Sequence, residues 1–354
     1  MKQTSTYHIG IIGCGKMGKD LFDWLTGFPF AVTWVCRTAE RAEQLKETFI
    51  KKQKRALKYG LKNEDEIRFR SENTLITFVP EDLAQCNLVI ESITEDINRK
   101  RELYKVLEHV LPEKCVLASN TSSIPPDELF KGLSVEENTL GLHFFFPVAM
   151  KSFAEINVTK RTDQQAIDKV EEFLKRTGKY SLVLKGDDYF IINRMFLKMQ
   201  AGCCRLLESG EMDVPEIDVL IKNNLFPTGV FEFFDYVGND VMLQSVMNYL
   251  VYEEDTDFYL PMKNVLARKV AEGRLGKKTK MGFYDYPLKN AATDTEITRK
   301  KKEVLQQITH WYLDGVFDVL NKNLCSRKEL ERIVKEYMMT DKSPFKLAEE
   351  MGFE

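Results

Sequence analysis

The pattern of apolar and polar positions divides the chain into two parts. From residue 7 to about residue 185, short runs rich in β-branched and aromatic residues alternate with helical stretches. Eight runs predict strands: YHIGII, AVTWVC, LITF, NLVIESI, CVLAS, TLGLHFF, FAEINV and YSLVL. This alternation predicts an α/β fold, with a mostly parallel sheet covered by helices. Thr162 followed by Gln165 predicts a capping box at the start of the last helix of this part.

After Asp188 the strand pattern stops, and the remaining sequence has the periodicity of amphipathic helices. We therefore expect an α/β domain at 1–186 and an all-helical domain at 187–289. A helical extension is expected at 290–354. At 354 residues, the chain is long enough for several domains, each with its own core.

Composition and charge exclude several classes of protein. The net charge of -3 gives no reason to expect a nucleic acid or an anionic membrane as partner. No basic stretch followed by an apolar segment opens the sequence, so we expect no secretory signal. The seven cysteines have no paired spacing typical of metal ligands, which predicts reduced thiols, no metal site and a cytoplasmic protein.

A glycine-rich turn follows the first predicted strand, in the sequence IGIIGCGKMG. Gly13 permits a tight turn, Gly15 lets a pyrophosphate approach the backbone, and Gly18 allows close packing of helix on strand. Lys16 and Met17 complete the turn, where the helix N-terminus favours an anion. An ordinary glycine turn is the alternative, but the surrounding strand–helix–strand pattern favours a Rossmann-type dinucleotide site.

The end of the second predicted strand bears on the choice of cofactor. An Asp or Glu at this point would bind the adenosine ribose hydroxyls, but the sequence has Cys36 followed by Arg37. An arginine there can hold a ribose 2′-phosphate, which favours NADP over NAD. The alternative is that Arg37 points to solvent.

Several further motifs occur in a fixed order: SNTSS at 119–123, HFFFP at 143–147, FAEI at 153–156 and FIINR at 190–194. Together with the glycine-rich turn, this order resembles the L-3-hydroxyacyl-CoA dehydrogenase family. The resemblance runs from about residue 7 to GFYDY at 282–286. It implies an oxidoreductase that interconverts an L-3-hydroxyacyl-CoA and a 3-oxoacyl-CoA by hydride transfer with NAD or NADP.

The resemblance also implies four catalytic roles. His143 would be the general base for the 3-hydroxyl proton, and Glu155 would hold the other imidazole nitrogen. Ser122 and Asn193 would hydrogen-bond the reacting oxygen and the histidine. Imidazole exchanges protons near neutral pH, which suits this chemistry. Without the other motifs, a histidine among phenylalanines such as His143 would more often be a packed core residue than a catalyst.

Two further groups of residues match the family's ligand-binding positions. Glu95 and Lys100 fall near the nicotinamide-side ribose, although they could instead form a pair on a solvated helix start. The second group is a basic cluster in a predicted helical hairpin, which could bind coenzyme A phosphates or simply face solvent. Its members are Lys51, Lys52, Lys54, Arg55 and Lys58.

One position departs from the family pattern, because Phe146 stands where the family usually has Asn. The change removes an amide and adds bulk near the expected substrate position. A dehydrogenase of a non-CoA hydroxy acid is therefore one alternative, and a non-catalytic nucleotide-binding protein is another. Substrate class and acyl length stay open.

The segment after GFYDY resembles the helical domain itself. Residues 201–218 align with 314–331, matching Gly202 with Gly315 and Glu216 with Glu329. This order predicts a partial second helical copy. Short family members pair through their helical domains, so an attached copy could cover the same face. We therefore expect a monomer, with the ordinary homodimer as the alternative.

Overall fold

The computed structural model describes residues 7–186, 188–251, 255–288 and 298–353. The chain forms two compact units, Met1–Tyr189 and Phe190–Glu354. The predicted domain boundaries come after residues 186 and 289. Residues 187, 289 and 290, which flank these boundaries, lie outside the described residues.

The first unit is an eight-stranded sheet covered by helices. The strands are β1 His8–Ile12, β2 Ala31–Val35, β3 Thr74–Thr77, β4 Leu88–Glu91, β5 Val116–Ser119, β6 Thr139–His143, β7 Phe153–Val158 and β8 Tyr180–Leu184. Its α-helices are α1 Lys16–Leu25, α2 Ala39–Lys58, α3 Glu64–Glu72, α4 Ile97–Leu107, α5 Pro126–Phe130 and α6 Gln164–Arg176. Seven of the strands fall within predicted runs, and β3 begins one residue before the run LITF at 75–78.

The strand order is β3-β2-β1-β4-β5-β6-β7-β8. β1 to β6 are parallel neighbours, β7 runs antiparallel to β6, and β8 is parallel to β7. This is the Rossmann order with two added strands, so the predicted mostly parallel sheet is confirmed. All six parallel strands end at one edge of the sheet, which collects the loops that follow them.

Both faces of the sheet are buried, because successive side chains of a strand point to opposite faces. In β4, Leu88 and Ile90 join one core cluster while Val89 joins the other. Helix α1 buries Leu21, Phe22 and Leu25 on the same side as Leu88. The long apolar runs of the sequence are therefore strands covered on both faces.

The start of α6 differs from the sequence prediction. Asp163 is its N-cap and accepts a hydrogen bond from the Gln165 backbone N–H, so the predicted capping box at Thr162 is wrong. Thr162 instead donates its hydroxyl to the Thr139 carbonyl oxygen at 2.7 Å. The side chain is taken up by the neighbouring strand, which the local sequence does not reveal.

The second unit is helical, as predicted. Its α-helices are α7 Ile191–Glu208, α8 Val214–Asn224, α9 Val230–Val237, α10 Asn239–Tyr249, α11 Thr256–Ala271, α12 Arg299–Asn321, α13 Arg327–Met338 and α14 Pro344–Met351. Most of α7 is buried, and α11 and α12 pack against it. Buried Asp235 joins α9 to the GFYDY segment by accepting from the backbone N–H groups of Phe283 and Tyr284.

Candidate active site

The glycine-rich turn joins β1 to α1 with backbone conformations that need glycine. Gly13 has a φ of 110°, and a β-carbon there would come within 2.3 Å of the Ser92 carbonyl oxygen. A β-carbon on Gly18 would come within 2.1 Å of the Gly13 carbonyl oxygen. Gly15 faces open space, with no described atom within 4 Å of such a β-carbon. A phosphate can therefore approach Gly15 in front of the first N–H groups of α1.

The side chains of the turn point in different directions. Met17 is half-buried and packs on the core, while Lys16 is exposed. The Lys16 ammonium lies 4.1 Å from the centroid of the Phe146 ring, which is a cation–π contact. Phe146, which departs from the family pattern, thus contacts the glycine-rich turn.

The predicted base and its carboxylate partner lie on adjacent strands. His143 ends β6, and Glu155 is its register partner on the antiparallel strand β7. The imidazole Nδ1 lies 2.7 Å from Glu155 Oε2, and the two residues are 6% and 0% exposed. The Phe145 ring centroid is 4.3 Å from that of His143. A desolvated, hydrogen-bonded imidazole therefore stands at the edge where the parallel strands end.

The loop after β5 brings Ser122 to this same edge. Glu95 Oε1 accepts hydrogen bonds from the backbone N–H groups of Ser122 and Ser123, at 3.0 and 3.2 Å. It also accepts from the Thr121 hydroxyl at 2.5 Å. Asn120 Oδ1 accepts from the backbone N–H of Phe144, directly after the histidine. Ser122 is thus held on a fixed loop beside the end of β6.

Behind this loop lies a buried charge network that the sequence interpretation did not anticipate. Lys100 is 1% exposed, and its ammonium lies 2.7 Å from Glu91 and 3.5 Å from Glu95. Glu91 is fully buried and also accepts from the hydroxyls of Tyr104 and Ser119. The signal was present in the sequence, since Glu91 is a charged residue ending an apolar strand.

Electrostatics within this network favour the charged forms of both partners. Burial by itself would raise the pKa of Glu91, but the Lys100 ammonium together with the hydroxyls of Tyr104 and Ser119 outweighs it and holds that pKa below its ordinary value. Burial by itself would lower the pKa of Lys100, and the two glutamates reverse this and raise it. In the pair that Glu95 and Lys100 form, the lysine is 1% exposed and the glutamate 15%, so the solvated-pair alternative is wrong. These contacts favour a role for Lys100 in supporting Glu95 and its loop.

The end of β2 carries no carboxylate. Cys36 is 3% exposed, whereas Arg37 is exposed to solvent on the segment that leads to α2. Thr38 caps α2 by accepting from the Arg41 backbone N–H. Arg37 thus lies outside the core, at the edge of the sheet.

Helix α2 and helix α3 form the predicted helical hairpin, and the basic cluster lies on exposed α2. Four of its members are spaced to share one face of the helix: Lys51, Lys54, Arg55 and Lys58. Lys51 pairs within the helix, with its ammonium 3.3 Å from Glu47 Oε2, whereas the Lys52 ammonium is 2.6 Å from Asp23 Oδ2 of α1. The prediction that all five residues bind phosphates together stays a prediction, and Lys52 is the member held against another helix.

Asn193 lies in the first turn of α7, in the helical unit, and its side-chain amide donates to the Tyr249 hydroxyl at 3.0 Å. Its relation to His143 stays a prediction. Among the described helices, none is long and apolar enough to cross a membrane. Within the described ranges, no three His, Cys, Asp or Glu side chains are placed to hold a metal ion.

The fold and this edge of the sheet together define a dehydrogenase with a nicotinamide dinucleotide site. The model of the 3-hydroxyacyl-CoA dehydrogenase NAD binding domain matches residues 8–187. The model of the 3-hydroxyacyl-CoA dehydrogenase C-terminal domain matches residues 190–286. The chain belongs to the 3-hydroxyacyl-CoA dehydrogenase family, as the motif order indicated.

Individual relatives agree with this assignment. The chain is 30% identical to the human mitochondrial hydroxyacyl-coenzyme A dehydrogenase over 294 residues, covering 80% of this chain and 93% of the human protein. The solved structure of (S)-3-hydroxybutyryl-CoA dehydrogenase from Ralstonia eutropha has a TM-score of 0.70 at 26% identity, covering 80% and 100% of the two chains. The Escherichia coli 3-hydroxybutyryl-CoA dehydrogenase shares the fold over 98% of this chain and 91% of its own, with a TM-score of 0.81 at 19% identity.

Proposed function

We propose that this protein interconverts an L-3-hydroxyacyl-CoA and the corresponding 3-oxoacyl-CoA, with His143 as general base. The observation that carries the proposal is the buried hydrogen bond between His143 Nδ1 and Glu155. An ionised carboxylate only accepts hydrogen bonds, so Nδ1 carries the proton and Nε2 keeps its lone pair. Nε2 can then take the proton of a substrate hydroxyl.

Glu155 fixes the ring orientation and stabilises the imidazolium that forms when the proton arrives. Ser122, on the loop held by Glu95, is proposed to hydrogen-bond the reacting oxygen, and Asn193 is proposed to assist it. When bound, NAD(P) would supply the nicotinamide that accepts the hydride from the substrate C3 carbon. The turn at Gly13, Gly15 and Gly18 fits its pyrophosphate, because the backbone at Gly15 is accessible.

Loss of reduced-cofactor absorbance with acetoacetyl-CoA tests this proposal directly. His143→Ala should lower kcat by about 10² to 10⁴, the usual contribution of a positioned proton acceptor. Glu155→Gln should lower kcat while leaving the affinity for reduced cofactor nearly unchanged. The exposed His109→Ala is a matched control and should keep wild-type kcat.

Turnover that survives His143→Ala would refute the assignment of the base. Acetoacetate, which lacks coenzyme A, distinguishes the alternative substrate class. Faster turnover of the free acid than of the thioester would favour a dehydrogenase of a non-CoA hydroxy acid. Absence of turnover with both, in protein that still binds reduced cofactor, would favour a non-catalytic role.

We also propose a preference for NADP over NAD. Support comes from the sheet edge, where Cys36 offers no carboxylate to the ribose hydroxyls and Arg37 is exposed. A 2′-phosphate would find a guanidinium there, while the NAD ribose would lack its usual acceptor.

The coenzyme A phosphates are proposed to bind the exposed face of α2 formed by Lys51, Lys54, Arg55 and Lys58. Support comes from the concentration of positive charge there and from its position on the helical hairpin after β2. We further propose that the protein works in the cytoplasm, since its seven cysteines lack the paired spacing of a disulfide framework and five of them are buried.

The helices after residue 298 are proposed to be a partial second copy of the helical domain. α8 begins with a capping box of Asp213 and Glu216, and α13 begins with one of Ser326 and Glu329. The glutamates are the residues that the sequence alignment matched. Order and length also agree, because α7, α8 and α9 have 18, 11 and 8 residues and α12, α13 and α14 have 23, 12 and 8.

The matched glycines support the same interpretation. A β-carbon on Gly202 of α7 would come within 2.0 Å of Trp311, and one on Gly315 of α12 within 2.4 Å of the Met195 carbonyl oxygen. Each glycine thus faces the other helix, and the two helices run antiparallel, as in a twofold pair. An attached copy that covers α7 supports the proposal that the protein is a monomer.

A further inference from the structure

Two cysteines lie close together at the glycine-rich turn. Cys14 stands between Gly13 and Gly15 and is half-buried, while Cys36 follows β2 and is buried. The Gly13 backbone N–H donates to the Val35 carbonyl oxygen at 3.2 Å, which brings the two segments together. The register of Ile12 with Val35 places the two cysteines just past the ends of adjacent strands, and Cys14 packs against the core cluster that contains Cys36.

The surroundings of Cys14 favour its thiolate. A hydrogen bond from Cys36, the backbone N–H of Arg37 and the guanidinium of Arg41 together overcome burial and lower the pKa of Cys14 to about 7. The pKa of Cys36 is raised, because it gives its hydrogen bond to Cys14 and is buried. Near neutral pH the thiolate of Cys14 is therefore more populated than that of a thiol at the ordinary value of 9.0.

We propose that Cys14 and Cys36 form a peroxide-oxidisable dithiol, whose disulfide weakens binding of the dinucleotide cofactor. A half-buried thiolate in contact with a second thiol is the arrangement of a reactive cysteine with its resolving partner. Cys14 lies within the turn that receives the pyrophosphate. A change in its oxidation state therefore acts on the same backbone that binds the cofactor.

The reaction balances with a peroxide as oxidant. The Cys14 thiolate attacks one peroxide oxygen, a sulfur–oxygen bond forms, the oxygen–oxygen bond breaks, and the departing oxygen takes a proton. Cys14 becomes a sulfenic acid, oxidised by two electrons. The Cys36 sulfur then attacks the Cys14 sulfur and displaces hydroxide, which leaves as water with the Cys36 proton.

The disulfide would reshape the site from two sides. A sulfur–sulfur bond of about 2.05 Å is much shorter than a hydrogen-bond contact between two sulfurs, so the turn must move toward β2. That movement displaces Gly13 and Gly15, whose backbone faces the phosphates. It also removes the Cys14 negative charge and changes the segment before Arg37.

The chain contains a matched pair for comparison. Cys86 and Cys115 interact electrostatically and are 1% and 5% exposed, away from the glycine turn. Burial raises the pKa of both thiols, that of Cys115 to about 12. These thiols stay protonated at neutral pH, so they should not react with peroxide under the same conditions.

The test is to treat the full-length protein with hydrogen peroxide at pH 7 and to measure thiols and cofactor binding. We expect a peptide cross-linked through Cys14 and Cys36, with two free thiols lost. The dissociation constant for NADH or NADPH, followed by cofactor fluorescence, should rise by about tenfold or more. Dithiothreitol should reverse both changes, and prior saturation with reduced cofactor should slow them.

Variants are each compared with their own reduced form. Cys14→Ser and Cys36→Ser should lose the peroxide-dependent, dithiothreitol-reversible change in affinity, while Cys86→Ser should keep it. A peroxide-treated protein without the Cys14–Cys36 cross-link would overturn the proposal. So would a cross-linked protein with unchanged cofactor affinity. Because neither measurement needs turnover, a failure of the proposed dehydrogenase reaction would be recognised separately.

Discussion

Replacing Lys100 by methionine tests how much the buried charge network stabilises the α/β unit. The ammonium is 1% exposed and lies 2.7 Å from Glu91, which is 0% exposed. Methionine preserves most of the side-chain volume but leaves a buried carboxylate without its counter-charge. Breaking such a pair from one side costs about 3 to 5 kcal/mol. Since a domain is typically stable by about 5 to 15 kcal/mol, the loss would be a large fraction.

Urea unfolding followed by tryptophan fluorescence can measure this loss. In a Trp311→Phe background the signal comes from Trp24 and Trp34, which both belong to the α/β unit. Adding Glu91→Gln to Lys100→Met should restore part of the stability, because it removes the unpaired charge. Lys46→Met is the matched control, since its ammonium is mostly exposed and 3.9 Å from Glu43. It should have little effect.

The pH dependence of stability gives a second check, because Glu91 should contribute to it with opposite signs in the wild type and in Lys100→Met. In the wild type the pKa of Glu91 is lowered by Lys100, so this carboxylate stabilises the fold above about pH 4.3 and loses that contribution as pH falls. In Lys100→Met, burial should raise the pKa of Glu91, and the penalty should shrink as pH falls and the carboxyl becomes protonated. A loss below about 1 kcal/mol, or one independent of pH, would contradict the reasoning.

Three further predictions concern cofactor, substrate and assembly. kcat/KM should be higher with NADPH than with NADH, and Arg37→Ala should abolish the preference; a wild-type preference for NADH would disprove it. Neutralising Lys51, Lys54 and Arg55 together should raise KM for acetoacetyl-CoA without lowering kcat. Lys52→Met is the control, since Lys52 pairs with Asp23 of α1, and it should leave KM unchanged. An equal rise in KM in both proteins would favour a face that is merely solvated. Light scattering should give the mass of one 41.1 kDa chain, and twice that mass would refute the monomer.

Much of the fold was predictable from the sequence, because the signals that define its elements are local. Apolar runs such as NLVIESI and FAEINV coincide with β4 and β7, since burial on both faces demands continuous apolar residues. Gly13 was predictable for a similar reason: a turn with φ of 110° excludes ordinary side chains. The order of motifs likewise identified the family before any contact was known.

Other features depended on contacts between distant parts of the chain, which only the tertiary structure decides. His143 meets Glu155 because β7 runs antiparallel to β6 and sets those residues opposite each other, a register that neither strand specifies by itself. For Lys100 the sequence left a ligand-binding position and a solvated helix start both open, and packing against β4 buries it beside Glu91. The sequence by itself determined which residues form strands, helices and the glycine turn. The tertiary structure decided which charges meet, because ion pairs and hydrogen bonds depend on distance in space.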